Sequence, residues 1–75
     1  MQYDLRKKAD RQRMRDDRRR ELLAVLKGEW PRDINDRMRW MDPTPECAKA
    51  MCLADLDYLK RVEAQIRAGE LSWEK

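Results

Sequence analysis

The side chains with which this 75-residue chain could do chemistry are two cysteines, Cys47 and Cys52, a scatter of carboxylates, and arginines gathered near the start. Histidine is absent, so a general base would have to be a carboxylate, lysine or thiol with a shifted pKa. No pair of these falls in a recognisable pocket-forming motif, and neither cysteine has an identifiable base partner. Glycine stands only at Gly28 and Gly69, which leaves no phosphate-cradling loop. The expectation is a non-catalytic protein with no cofactor and no small-molecule substrate.

The cysteines fall within one helical pattern, where five residues of rise separate them by ~7.5 Å along the axis. A disulfide prefers Cα atoms closer than ~7 Å, so free, buried thiols in a reducing compartment are expected. Without histidine or CxxC spacing they make no metal site either. The charged N-terminus and the lack of an apolar run near ~18 residues argue against a signal peptide or membrane span, which points to a cytoplasmic protein.

Charge is unevenly placed. Residues 1–20 carry nine basic side chains against four carboxylates, and the remainder nine against eleven. A division into a basic helical arm (1–20) and a helical body (21–75) follows. The arm offers Arg11, Arg15, Arg18, Arg19 and Arg20 as candidate nucleic-acid contacts, since phosphate neutralisation is what clustered arginine does best. The run from Arg6 to Arg20 resembles in composition the arginine-rich motifs of phage antitermination proteins, a resemblance that implies entry into an RNA groove. A plain solvated helix competes with this reading, because Asp4 and Lys8, Arg6 and Asp10, Arg13 and Asp17, and Asp16 and Arg20 stand four residues apart.

Punctuation by Gly28, Gly69 and the prolines at 31, 43 and 45 predicts an all-α chain, either a small three-helix unit or a helical hairpin, with a basic N-terminal helix. The first helix should run from about Asp4 to Lys27. A second, short one should run from Pro31 to Met41, with either Pro31 at its first position or Asp33 as its cap. The third should follow a turn at Asp42-Pro43-Thr44-Pro45, capped by Thr44, and reach Ala68. A helix-turn-helix reading fits poorly, because the third helix is long and the turn holds two prolines.

Ala48, Met51, Cys52, Leu59, Val62 and Ile66 form one stripe on the last helix and should be the core. Asp55 lies in that stripe and must meet an arginine or a helix N-terminus. Leu22, Leu23, Val25 and Leu26 give the first helix an apolar end, whereas the same face further back holds arginines that cannot extend the core and should project. Ile34, Met38 and Met41 should close the short helix over the third, with Trp30 and Trp40 as partly buried lids. Leu53, Leu56 and Trp73 are candidate partner contacts.

Two functions fit. One is a regulatory binding protein associated with transcription or nucleic-acid machinery that uses its basic helix. The other is a phage-type inhibitor or adaptor that docks on a larger host protein complex through an apolar helix face and tryptophans. A homodimer covering excess apolar surface is compatible with either.

Overall fold

A computed structural model of the chain describes residues 3–30, 34, 36 and 44–75. Two long helices, α1 (Lys8–Leu26) and α2 (Pro45–Arg67), pack against each other. They run antiparallel: Arg11 pairs with Glu63, Arg18 with Asp55, and Cys52 reaches Glu21, so numbers rise on one helix as they fall on the other. A helical hairpin is thus the architecture of the described residues. Ile34 and Asp36 are helical, while the rest of the expected second helix, with Met38, Trp40 and Met41, lies outside the described residues.

α2 begins as its sequence requires. Thr44 is extended (φ −117°, ψ 152°), its Oγ1 accepts from the Cys47 amide at 3.2 Å, and Pro45 occupies the first turn, where a missing N–H costs nothing. Glu46 faces the positive end of the dipole and Arg67 the negative end.

α1 starts later than its charge pattern suggests, at Lys8 rather than Asp4. Lys7 caps it with no side-chain acceptor, and the chain before it is held instead by Lys7 N–H to Asp4 O (3.0 Å) and Asp4 N–H to Asp10 Oδ2 (3.0 Å).

Both helices end in the same device. Gly28 (φ +85°) and Gly69 (φ +78°) take the left-handed turn that a Cβ disfavours. Around Gly28, its own amide bonds to Val25 O and that of Glu29 to Ala24 O; around Gly69, its amide bonds to Ile66 O and that of Glu70 to Gln65 O. Each is a Schellman closure that satisfies carbonyls the helix leaves open.

The α2 stripe is the core as expected: Ala48, Cys52, Leu59, Val62 and Ile66 are buried, and Met51 is half-buried. Ile34 joins Val25, Ala48 and Cys52 in one cluster, with Leu22, Trp30, Cys47 and Met51 packed around it. Two expectations need correction. Of the apolar end of α1 only Val25 is buried, while Leu23 and Leu26 remain 58% and 59% exposed. And the arginine-bearing half does not project, because α1 lies along α2 over its whole length and buries Arg11, Met14, Arg18 and Glu21 on the same face as Val25.

Candidate functional site

The face of α1 that meets α2 repeats at helical spacing: Arg11, Met14, Arg18, Glu21, Val25. A guanidinium on such a face must find acceptors within the protein for its N–H groups, since an unpaired buried charge is prohibitive. Arg11 is fully buried and does so three times. Its Nε donates to Glu63 Oε1 at 3.2 Å, its Nη1 to the Leu5 carbonyl at 2.7 Å, and its Nη2 to the Glu74 carbonyl. One side chain thereby ties α1 to α2, to the segment before α1 and to the tail after α2. The Glu74 amide completes the clasp by donating to Arg6 O at 3.1 Å.

Arg18 is the centre of a second network. Its Nε donates to Asp55 Oδ2 at 2.7 Å and its Nη1 to Glu21 Oε1 at 3.2 Å, while the Cys52 thiol approaches Glu21 Oε2 at 3.8 Å. Asp55 therefore meets an arginine, as its place in the apolar stripe demands. Burial works against the charge on Arg18, but its hydrogen bond to Asp55 and the nearness of Glu21 outweigh it and hold the guanidinium more firmly protonated than usual. Tyr3 lies 5.7 Å from both the Arg13 and Arg18 guanidinium carbons and donates its hydroxyl to Asp17, closing the network from outside.

The remaining arginine pairs are local. Arg13 pairs with Asp10 at 3.2 Å, Arg20 with Asp17, Arg6 with Asp4 at 3.0 Å and Arg61 with Asp57 at 3.0 Å. Arg15 reaches Glu63 at 3.1 Å. The self-paired helix is real, but the spacing within α1 is three residues rather than the four its sequence suggests.

Glu63 accepts from two arginines. Burial pushes its carboxyl up, and the hydrogen bonds from Arg15 and Arg11 more than offset that, leaving it below the ordinary carboxylate range. A folded-state pKa below the unfolded value of about 4.3 makes this contribution to stability complete above that pH and lost as pH falls through the folded pKa. At fixed urea, the folded fraction should therefore hold steady from neutrality down to about pH 5 and decline below it. Glu63→Gln should flatten the acid limb; an unchanged acid limb in that variant would contradict the assignment.

Between the helices, on one flank, lies an open groove of about 730 Å³ lined by Lys8, Gln12, Arg15 and Arg19 from α1 and by Leu53, Leu56, Asp57, Lys60, Glu63 and Arg67 from α2. The spacing explains the set: 8, 12, 15 and 19 form one face of α1, as 53, 56, 60, 63 and 67 do on α2. Cys47 and Met51 fall on the opposite flank of α2 and pack with the Ile34 cluster. Leu53 is 46% exposed and Leu56 half-buried, so the floor is apolar and accessible.

The carboxylates of the groove are already engaged, Glu63 by Arg11 and Arg15 and Asp57 by Arg61. Of the nine described arginines, seven hold a carboxylate; the two that hold none among the described residues, Arg19 and Arg67, both line this groove. Lys8 and Lys60 stand beside them, also without a carboxylate among the described residues.

The candidate contacts read from the sequence are thus redistributed. Arg11 and Arg18 are buried and internally bonded, which corrects the expectation that they remain available for outside contact. Arg20 is exposed but paired with Asp17, and Arg15 is half-buried on Glu63. Arg19, Leu53 and Leu56, read as belonging to two different surfaces, meet in one groove. Trp73 is half-buried in the tail and does not line it. Lys60 and Arg67, which the sequence places beside Leu53 and Leu56 without making them contacts, join the groove, as does Lys8, which shares the helical spacing of Arg19 on α1.

The described residues define an antiparallel helical hairpin with a basic, leucine-floored groove along one flank. Among them no helix is long and apolar enough to cross a membrane, and no cluster of side chains suits a metal ion. Compared with protein-family models, with curated proteins and with solved structures, the chain matches none of them.

Proposed function

We propose that this chain is a small non-catalytic binding protein, an adaptor or inhibitor that docks on another protein through the groove between α1 and α2. The observation that carries this reading is the division of its arginines: those facing inward are consumed by the fold's own carboxylates, and the two that hold none among the described residues line the groove whose floor is Leu53 and Leu56. Apolar floor with charged rim is the anatomy of a protein interface rather than of a phosphate-binding surface, which gains nothing from leucine.

Nucleic-acid binding, the reading that the basic N-terminal helix first suggests, keeps one supporting observation: Lys8, Arg15, Arg19, Lys60 and Arg67 share a single face. Binding to labelled duplex DNA and to an RNA hairpin at low and moderate salt separates the two. Under the adaptor reading, any affinity at low salt disappears at moderate salt, as non-specific counterion release dictates. Micromolar affinity surviving moderate salt and lost in Arg19→Ala with Lys60→Ala would reverse the ranking. Arg18 is unsuitable for this test because its removal opens the core network.

A further inference from the structure

The groove is not uniform along its length. Leu26 follows Arg19 by seven residues, two helical turns, so it stands on the same face of α1, and it is 59% exposed. Leu53 and Leu56, with Arg19 beside them, line the end nearer Gly28, and Leu26 carries that apolar face on past the groove, whereas Lys8, Lys60 and Arg67 make the other end cationic.

We infer that this groove takes one acidic amphipathic helix of a protein partner, lying along the two helices, with apolar anchors on Leu53 and Leu56 and carboxylates facing Lys8, Arg19, Lys60 and Arg67. The inference rests on the reading of the groove as the binding surface and names what fills it. A channel between two packed helices is the geometric counterpart of the ridge on a third. A membrane surface would touch the two helix crests and leave the floor uncovered. A nucleic-acid backbone would satisfy the cations but set polar groups against Leu53. Only an occupant with both apolar and acidic side chains matches floor and rim together, since Asp57 and Glu63 are already engaged and cannot neutralise the groove from within. From Lys8 to Arg19 the groove runs ~17 Å along α1, and the same face continues to Leu26 for ~27 Å in all, enough for a partner helix of about 18 residues.

A display library tests this: peptides of about 18 residues, leucine fixed at helical spacing, with glutamate, lysine or glutamine permitted at the flanking positions, selected against the full chain. Recovered peptides are then titrated into isotope-labelled protein. Expected are enrichment of glutamate, shift changes at Arg19, Leu53, Leu56 and Lys60, and a roughly tenfold or greater loss of affinity in Leu53→Asp and in the Arg19→Glu, Lys60→Glu pair. That charge-reversed pair, its substituted positions at the surface, should instead accept the lysine version of the same peptide. Failure to recover any peptide, or affinity indifferent to these substitutions, overturns the inference. Peptides that dock in the groove without preferring glutamate overturn the acidic occupant yet leave the groove as the binding surface; docking elsewhere overturns both. Phosphatidylserine vesicles or duplex DNA that displace the peptide from the groove at moderate salt would assign it to another class of ligand.

Discussion

Arg11→Ala should lower the unfolding free energy by about 3–5 kcal/mol, the range seen when one partner of a buried ion pair is removed. The reason lies in what the guanidinium leaves behind. Glu63 keeps Arg15, but the Leu5 and Glu74 carbonyls lose a charged donor, and a side-chain-sized void opens between α1, α2 and both flanking segments. A domain of this length has roughly 4–11 kcal/mol in total at the usual stability per residue, so the variant should be close to unfolded at room temperature. Urea denaturation followed by helical circular dichroism measures this. Arg11→Lys should recover little, because an ammonium cannot reproduce the planar fork that reaches three acceptors on three segments. A loss below about 1 kcal/mol in the alanine variant would mean that Arg11 is not the tie between these segments.

Leu59→Ala should cost about 2–5 kcal/mol, since Leu59 is fully buried and its truncation leaves a cavity that two rigid helices cannot collapse around. At roughly 4–8 °C of melting temperature per kcal/mol for a domain of this size, the thermal midpoint should drop by about 10 °C or more. Leu53→Ala, six residues earlier on the same helix, is the control. Its side chain sits in the open groove, so its truncation should move stability by no more than about 0.5 kcal/mol while weakening any partner that uses the groove. Equal losses in the two variants would mean that the groove floor belongs to the core and is not free for a partner.

Much of this architecture is legible in the residues themselves. Thr44, Pro45 and the two glycines mark three of the four helix ends, because each end needs an unusual backbone or a side-chain acceptor that few residue types supply. The apolar stripe of α2 is legible for the same kind of reason: burial imposes a period of 3.6 on it. The start of α1 was not, since it has no side-chain cap and is held by backbone and Asp10 contacts made by residues that carry no helix-start signature.

The orientation of α1 departs further from what its sequence suggests, for a specific reason. Arginine on a helix face reads as solvated by default. Here Arg11 and Arg18 lie in register with Met14 and Val25, and Glu63 and Asp55 lie opposite them on α2. Asp55 in the middle of an apolar stripe already demanded an arginine. The helix that supplies it across the antiparallel seam is α1, with its arginine half turned inward. The groove was half legible: Arg19, Leu53 and Leu56 were singled out, but for separate surfaces, because only the pairing of the two helices brings their faces together.

The Arg18 network also limits how the hairpin can change over generations. Sliding α2 by one turn would set Met51 or Leu59 opposite Arg18 in place of Asp55, leaving the guanidinium with Glu21 alone and Asp55 without its arginine, so misaligned pairings are penalised more than an all-leucine seam would penalise them. Positions 18, 21 and 55 are consequently bound to one another as a lineage diverges: a neutral path from this sequence to an apolar seam must cross intermediates in which one ion has lost its partner.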